Sequence, residues 1–219
     1  SGKNGKSVKA KLPNIFLVST TNKKIYHKNE PIVYLRKFYT NRSIYSITEV
    51  TNPNIDQLRR MEDVKEQQNQ YTESINGRKY NVLEIKTILN SLDVGEIKIG
   101  SVKAGYIFSP FSRVNYVASD QHSIVILESE YDKTIPYGSF SMSAELSSDN
   151  IKVDNGVYLK VKLEGNGDLK FTKPLVVDFS NDLDVFEPKV SLDRKLVDGE
   201  LYSRKIYEYL LIPRSPGRY

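Results

Sequence analysis

Alternating apolar and polar residues are the strongest structural signal along this chain. Between residues 157 and 164, Val, Leu, Val and Leu alternate with Tyr, Lys, Lys and Glu. A period of two is typical of a strand with one buried face. Further short apolar segments, separated by polar turns, read IFLVST, SIYSITEV, NVLEIKTIL, EIKIGSV, SIVILE and RKIYEYLLI. The pattern predicts an all-β protein, and about seven short strands per 100–120 residues favour immunoglobulin-like β-sandwiches.

The pattern also repeats. INGRKY at 75–80 resembles VDGELY at 197–202, and Gly77 and Gly199 are 122 positions apart. Upstream, VYLR at 33–36 resembles VYLK at 157–160 at an offset of 124, and Phe16 and Phe140 share that offset. Several similar segments in one order predict tandem copies of one domain.

The most similar segments of the two copies contain turn residues. Asn76-Gly77 and Asp198-Gly199 each stand between two predicted strands. Asn-Gly and Asp-Gly favour two-residue hairpins, because both central residues adopt positive φ. We therefore predict a structural turn used twice.

These patterns divide the chain into three parts. Residues 1–12 are predicted to be a linker or cloning remnant, residues 13–131 one sandwich (the first repeat) and residues 132–219 another (the second repeat). The first repeat continues for more than 30 residues past Gly95, whereas the chain ends two residues after the matching Gly217. We therefore expect the second sandwich to be incomplete at its C-terminal strand, with an unpaired edge that could recruit another chain.

Segment 54–70 has no counterpart of equal length in this alignment. Its apolar residues recur every three positions, at Ile55, Leu58, Met61 and Val64. This spacing predicts an inserted loop or short helix with one apolar side. Such an element could simply cover one end of the sandwich, but insertions between strands are also frequent binding sites. We therefore name its acids as partner-binding candidates: Asp56, Glu62 and Asp63.

Composition excludes several functions. The net charge of the 219 residues is +5, but Lys3, Lys6, Lys9 and Lys11 contribute four of these charges. The rest is nearly neutral, which argues against nucleic-acid binding. The absence of cysteine excludes disulfides, thiol nucleophiles and thiolate metal sites. No apolar run approaches the length of a membrane span.

Candidate chemistry is sparse. The chain has two histidines, His27 and His122, and no convergent acid, base and nucleophile. We therefore expect neither enzymatic activity nor a cofactor. Asp178, Asp182 and Asp184 could contribute oxygen ligands to Ca²⁺. The alternative is a strand with an acidic solvent face, since apolar residues interrupt these acids.

Two segments of the second repeat resemble the BatD family of bacterial envelope proteins. Residues 163–191 contain the family's Gly-x-Gly-Asp-Leu turn at Gly165 and Gly167, a proline at 174 and a Val-Phe-Glu-Pro strand at 185–188. Residues 207–219 contain its Ile-Pro-Arg-x-x-Gly turn, and 71–99 resemble its preceding domain. In place of an aromatic-rich stretch after the third strand, this chain has NIDQLRRMEDV, so contacts made by those aromatics are not expected here.

The resemblance implies a context. BatD-like proteins are secreted, membrane-anchored strings of immunoglobulin-like domains with no established enzymatic activity. They are linked to oxygen tolerance and encoded beside MoxR-type ATPases and von Willebrand A-domain proteins. The resemblance therefore implies that this chain is a periplasm-facing interaction or scaffold module, attached to the membrane only through an anchor outside this chain. Its partners would be envelope proteins, and an acid in 54–70 could complete the coordination of an A-domain metal ion.

A surface adhesin or glycan-binding module is the alternative function. Exposed aromatic rings can stack against sugars. The candidates for that role are Tyr34, Tyr39, Tyr158 and Tyr207.

Overall fold

The computed structural model describes residues 12–53, 55–130 and 134–219. These residues form strands and turns without a helix, which confirms the all-β prediction. Nearly all of the predicted linker, Asn54 and the predicted boundary at 131–132 lie outside the described residues. No helix capable of crossing a membrane was found in the part of the chain that is described.

The first repeat forms a two-layer sandwich. One layer is a sheet in the order β1-β3-β7-β5, and β6 pairs with β7 alongside β5. Its strands are β1 (Ile15–Thr21), β3 (Ile32–Thr40), β5 (Leu58–Arg60), β6 (Gln67–Ile75) and β7 (Arg78–Ser91). The other layer consists of two three-stranded sheets, β10-β9-β4 and β2-β11-β8. Its strands are β2 (Ile25–His27), β4 (Ser46–Val50), β8 (Gly95–Ile99), β9 (Lys103–Ile107), β10 (Asn115–Ala118) and β11 (His122–Leu127).

The core of the first repeat lies between these layers. Tyr34 and Phe38 of β3 are buried there against Ile97, Ile99 and Ile124 from the opposite layer. These side chains are almost completely removed from water, and burial of each contributes about 1.5–3 kcal/mol relative to leaving it exposed.

The second repeat has the same strand order. Its sheet runs β12-β13-β16-β14, and β15 pairs with β16 alongside β14. The strands are β12 (Gly138–Leu146), β13 (Val157–Gly167), β14 (Leu183–Val185), β15 (Lys189–Val197) and β16 (Glu200–Pro213). Each strand therefore has a counterpart in the main sheet of the first repeat, as expected for tandem copies.

Strand pairing corrects the predicted alignment by one residue. Ile32 pairs with Leu89 in the first repeat, and Val157 pairs with Leu211 in the second. Val157 thus corresponds to Ile32, at an offset of 125, and not to Val33. A one-residue slip moves every side chain of a strand to the other face. The sequence did not reveal this one-residue difference in alignment. Both faces of β3 are largely buried, so apolar residues occur on both of them.

Of the two alternatives predicted for segment 54–70, an inserted loop or a short helix, the helix is wrong for the described residues 55–70. The segment contains β5, a turn and the start of β6. The burial of Leu58, Met61 and Val64 agrees with the helical spacing. However, a strand and a turn, not a helix, direct these side chains inward. The Val64 amide donates to the Met61 carbonyl at 3.1 Å, and the Met61 amide donates to Ile88 of β7 at 3.0 Å. Pairing with β7 therefore overrides the helical spacing.

The supposed insertion is also smaller than predicted. Equivalent residues of the two repeats are 125 positions apart in the strands up to β5 and its counterpart β14. From β6 and its counterpart β15 onward, they are 122 positions apart. The connection between β5 and β6 comprises residues 61–66, whereas β14 and β15 are joined by residues 186–188. The first repeat therefore exceeds the second by three residues at this place.

The glycine motifs have two structural roles. Asn76 and Gly77, and likewise Asp198 and Gly199, have positive φ and join β6 to β7 and β15 to β16 as tight hairpins. Gly165 and Gly167 do not form the predicted turn, because they lie at the end of β13. A Cβ at Gly165 would lie 2.0 Å from the carbonyl oxygen of Ser139, so the close approach of β12 requires glycine there.

One face of the second sheet is apolar and only partly covered. Leu175, Val177 and Phe179, which precede β14, pack against Tyr207 and Tyr209 of β16. Other side chains on the same face remain in contact with solvent. They include Met142, Leu146, Val190 and Leu192.

Candidate partner-binding surface

The buried guanidinium of Arg36 fixes the segment that contains the candidate acids. It is 2% exposed. Its Nη1 donates to the side chain of Asn52 at 2.7 Å, and its Nη2 donates to the carboxylate of Glu66 at 2.7 Å. One side chain of the main sheet therefore holds both ends of the segment between 52 and 66, which we call the acidic segment.

Glu66 is suited to this anchoring role. Burial alone would raise the pKa of its carboxyl, but the hydrogen bond from Thr87 and the charges of Arg36 and Arg60 outweigh burial and lower it. The carboxylate is therefore ionised at neutral pH, and it neutralises a cation on a largely apolar face.

The three candidate acids have different surroundings. Asp56 and Glu62 are exposed, and neither forms an ion pair with any described residue. Asp63 is bound by Arg194 of the second repeat. The structure therefore leaves Asp56 and Glu62 available to a partner, and it places Asp63 in a contact between the repeats.

Arg194, on β15, is the centre of that contact. Its side chain is 3% exposed. Its Nη1 donates to both oxygens of Asp168, at 3.0 and 2.8 Å, while its Nε donates to Asp63 at 2.9 Å. These hydrogen bonds from Arg194 hold the pKa of the Asp63 carboxyl below its usual range. A paired, hydrogen-bonded arginine can be buried at this depth, whereas an unpaired one could not.

Apolar side chains continue the contact. Leu201, the second residue after the Asp198-Gly199 turn, is 3% exposed and packs with Val33, Met61, Val64 and Ile88 of the first repeat. At the start of the second repeat, Tyr137 stacks on His27 with ring centroids 5.0 Å apart. We call the contact of Arg194 and Leu201 with the first repeat the joint.

The two hairpins therefore share a geometry but not surroundings. The strands leaving the Asp198-Gly199 turn pack against the first repeat, and a Cβ at Gly199 would lie 3.4 Å from the Lys86 ammonium. A Cβ at Gly77 would meet nothing within 4 Å. The repeated motif is a structural turn. Of its two copies, the one at Asp198-Gly199 lies beside the contact between the repeats, and the one at Asn76-Gly77 does not.

The calcium candidates do not converge. Asp184 is bound by Arg214, whose Nε donates at 2.9 Å, and this ion pair lowers the pKa of its carboxyl. Asp182 accepts a long hydrogen bond from Ser180. No group of three or more acids or histidines suited to a metal ion was found within residues 12–53, 55–130 and 134–219. In this structure Asp184 serves an ion pair between β14 and the end of β16.

Most of the tyrosines considered for sugar stacking are inaccessible. Tyr34, Tyr39 and Tyr207 are 1%, 6% and 2% exposed, and only Tyr158 is half-exposed. Buried rings cannot stack against a sugar, so of these four tyrosines only Tyr158 remains a candidate for that role.

Sequence reasoning missed Arg36 and Arg194, and it recognised Asp168 only as part of the Gly-x-Gly-Asp-Leu motif. One signal was present, because Arg36 shares the inward face of β3 with Tyr34 and Phe38 and therefore required a buried partner. The sequence did not indicate which acid would be that partner. For Arg194 no local signal existed, since its two carboxylates lie 26 and 131 positions away along the chain.

Comparison with known proteins identifies the C-terminal part of the chain. Residues 144–219 match the family model described as the BatD DUF11 like domain. The match confirms the resemblance noted in the sequence and assigns this region to the BatD family. No curated protein and no solved structure was found to match the chain.

Proposed function

We propose that this chain is a non-catalytic, extracytoplasmic interaction module of a membrane-anchored BatD-type protein. Its task is to present a binding surface to partner envelope proteins, in a process linked to oxygen tolerance or envelope stress. The observation that carries the proposal is the acidic segment, which is anchored at both ends by Arg36 and presents two exposed acids. The family match in the second repeat supports the cellular context.

The preferred partner is a von Willebrand A-domain protein of the same envelope system. A carboxylate is a hard oxygen ligand that suits Mg²⁺, and Mg²⁺ usually binds only one or two protein carboxylates. Asp56 and Glu62 can approach such an ion because they are exposed and unpaired among the described residues. Asp63 is not proposed for this role, because Arg194 already binds it.

Calorimetric titration of this chain with the soluble A-domain, in Mg²⁺ and in EDTA, tests the proposal. We expect binding in Mg²⁺, its loss in EDTA, and at least a tenfold weaker affinity for the D56N/E62Q double variant. The matched control, D120N/D149N, removes two other exposed acids and should bind like wild type. Equal binding in Mg²⁺ and in EDTA, by wild type and by D56N/E62Q, would refute the metal bridge. Absence of binding in either buffer would refute the A-domain as partner.

A further inference from the structure

We propose that the second repeat positions Glu62 for the partner, with Arg194 as the positioning residue. The proposal rests on the proposed function, because it concerns one of the two acids offered there as ligands to the partner's metal ion. Docking of the second repeat at the joint and binding of the partner then support each other.

Glu62 lies in a tight turn. The Val64 amide donates to the Met61 carbonyl at 3.1 Å, so Glu62 and Asp63 are the two central residues of a β-turn. Met61 and Val64, at the two ends of the turn, are 5% and 2% exposed, whereas Glu62 is exposed. The turn therefore directs an acid to solvent from a base of two buried side chains.

The second repeat completes that base. Met61 and Val64 pack in one cluster with Leu201, and Nη1 of Arg194 lies 3.7 Å from the Met61 sulfur. Arg194 also donates from Nε and Nη2 to the carboxylate of Asp63. The second repeat thus contacts every residue of the turn except Glu62, and these contacts fix the direction in which Glu62 leaves it.

Arg194 is held in place within its own repeat. Its Nη1 donates to both carboxylate oxygens of Asp168, whose side chain is 5% exposed. The Lys170 amide donates to the same carboxylate at 2.9 Å and fixes its orientation. The second repeat therefore supplies a guanidinium with a defined direction, and such preorganisation reduces the entropy lost when a partner binds.

The other exposed acid of the segment has its supports in the first repeat. Asp56 lies between Asn52, which Arg36 binds, and β5, which pairs with β7. All of these groups belong to the first repeat. Asp56 and Glu62 are therefore two acids of one segment with different supports, and Asp56 serves as an internal control.

The test uses a joint variant, Asp168→Asn/Arg194→Met. Removal of both charges avoids the unpaired buried carboxylate that Arg194→Met alone would leave. Asparagine at 168 keeps an oxygen that can accept from the Lys170 amide. The matched control, Asp193→Asn/Lys195→Met, changes two exposed residues of the same strand, β15. Circular dichroism verifies that each variant is folded.

Spin labels test the positioning without a partner, and the absence of native cysteine makes the labelling specific. A label on Glu62→Cys should be restricted in the wild-type and control backgrounds and mobile in the joint variant. A label on Asp56→Cys should give the same spectrum in all three backgrounds. Asp63→Ala is a second way to release the turn, since it removes the carboxylate that Arg194 binds, and it should also mobilise the label at 62.

Calorimetric titration with the soluble A-domain in Mg²⁺ tests the consequence for binding. Glu62→Gln should weaken binding about fivefold in the wild-type background and less than about twofold in the joint variant, where Glu62 is no longer held toward the partner. Asp56→Asn should weaken binding by the same factor in both backgrounds. The joint variant itself should bind more weakly than wild type, although neither of its altered residues is proposed to touch the partner.

Three results would overturn the proposal. They are equal mobility of the label at 62 in the wild-type and joint-variant backgrounds, an equal loss from Glu62→Gln in both, and tighter binding by the joint variant. The last result would identify Asp63, released from Arg194, as a direct ligand. If wild type does not bind the A-domain in Mg²⁺, the proposed function fails, and the spin labels still decide whether the second repeat positions Glu62.

Discussion

The two repeats have one strand order in their main sheets but differ in the connection that precedes the hairpin. In the first repeat, residues 61–66 join β5 to β6, and this connection supplies Met61, Asp63 and Val64 to the joint. In the second repeat, residues 186–188 make the equivalent connection, and Phe186 there is half-exposed. The connection of the first repeat is thus three residues longer, and it docks onto the neighbouring repeat.

The repeats also differ in what covers their sheets. The inner face of the first sheet is covered by a complete second layer, and part of its outer face is covered by Leu201 and Leu196 of the second repeat. Within the described residues, the apolar face of the second sheet is covered by the segment that contains Leu175, Val177 and Phe179. Equivalent strands therefore have unequal surroundings, and substitutions at equivalent positions should have unequal effects.

Removal of Arg194 should produce the largest effect. Arg194→Met leaves Asp168, whose side chain is 5% exposed, as a buried charge without its partner. Loss of one member of a buried pair typically costs about 3–5 kcal/mol. We expect chemical denaturation to show a loss of this size, or an early transition for the second repeat. Unchanged stability would show that the joint does not depend on this arginine.

Leu201 and its counterpart Lys79 provide the clearest comparison of the two hairpins. Leu201→Ala removes a buried side chain from the joint and should cost about 2–4 kcal/mol. Lys79→Ala changes an exposed residue at the equivalent position and should remain within about 0.5 kcal/mol of wild type. Similar losses from both substitutions, measured by urea denaturation, would contradict the asymmetric use of the hairpins.

The two turn glycines should behave alike in spite of that asymmetry. Gly77→Ala and Gly199→Ala each force a non-glycine residue into left-handed backbone, at φ of 78° and 82°. The expected cost is about 1–2 kcal/mol for either variant. Thermal unfolding of both variants tests this expectation, and a much larger loss at Gly199 would mean that its approach to Lys86 cannot relax.

The smallest effect concerns Asp63 and depends on pH. Its pKa is lowered in the folded state, so its ion pair stabilises the joint above the usual aspartate pKa of 3.8 and loses this effect as pH falls through the lower folded value. Because the Asp63 side chain is 57% exposed, solvent screening limits the contribution to about 0.5–1 kcal/mol. Asp63→Asn should therefore lower stability slightly at neutral pH and by less in acid.

Hydrogen exchange at the joint can measure this difference, using Glu62→Gln as a neighbouring control with no ion pair among the described residues. If Asp63→Asn is destabilised equally at neutral and at acidic pH, ionisation of Asp63 does not contribute to the stability of the joint.

The sequence by itself determined the fold class, the repeat and the hairpins. Strands with alternating apolar residues need only a neighbour to bury one face, and Asn-Gly or Asp-Gly reverses the chain through local backbone preference. Strand alternation and turn preference depend on residues close together in the chain, so both can be read from the sequence. The resemblance of the second repeat to BatD is also a property of local motifs, at the end of β13 and around β14.

The tertiary structure alone decided the conformation of segment 54–70, the register between the repeats and the partner of Asp63. The three-residue spacing of Leu58, Met61 and Val64 fits a helix, but hydrogen bonds to β7 hold the chain extended and then turned. Asp63 looked like a free acid because its cation stands 131 positions later in the chain. Local preference fixes strands and turns, but only the packing of one repeat on the other fixes which charges are paired and which remain exposed to a partner.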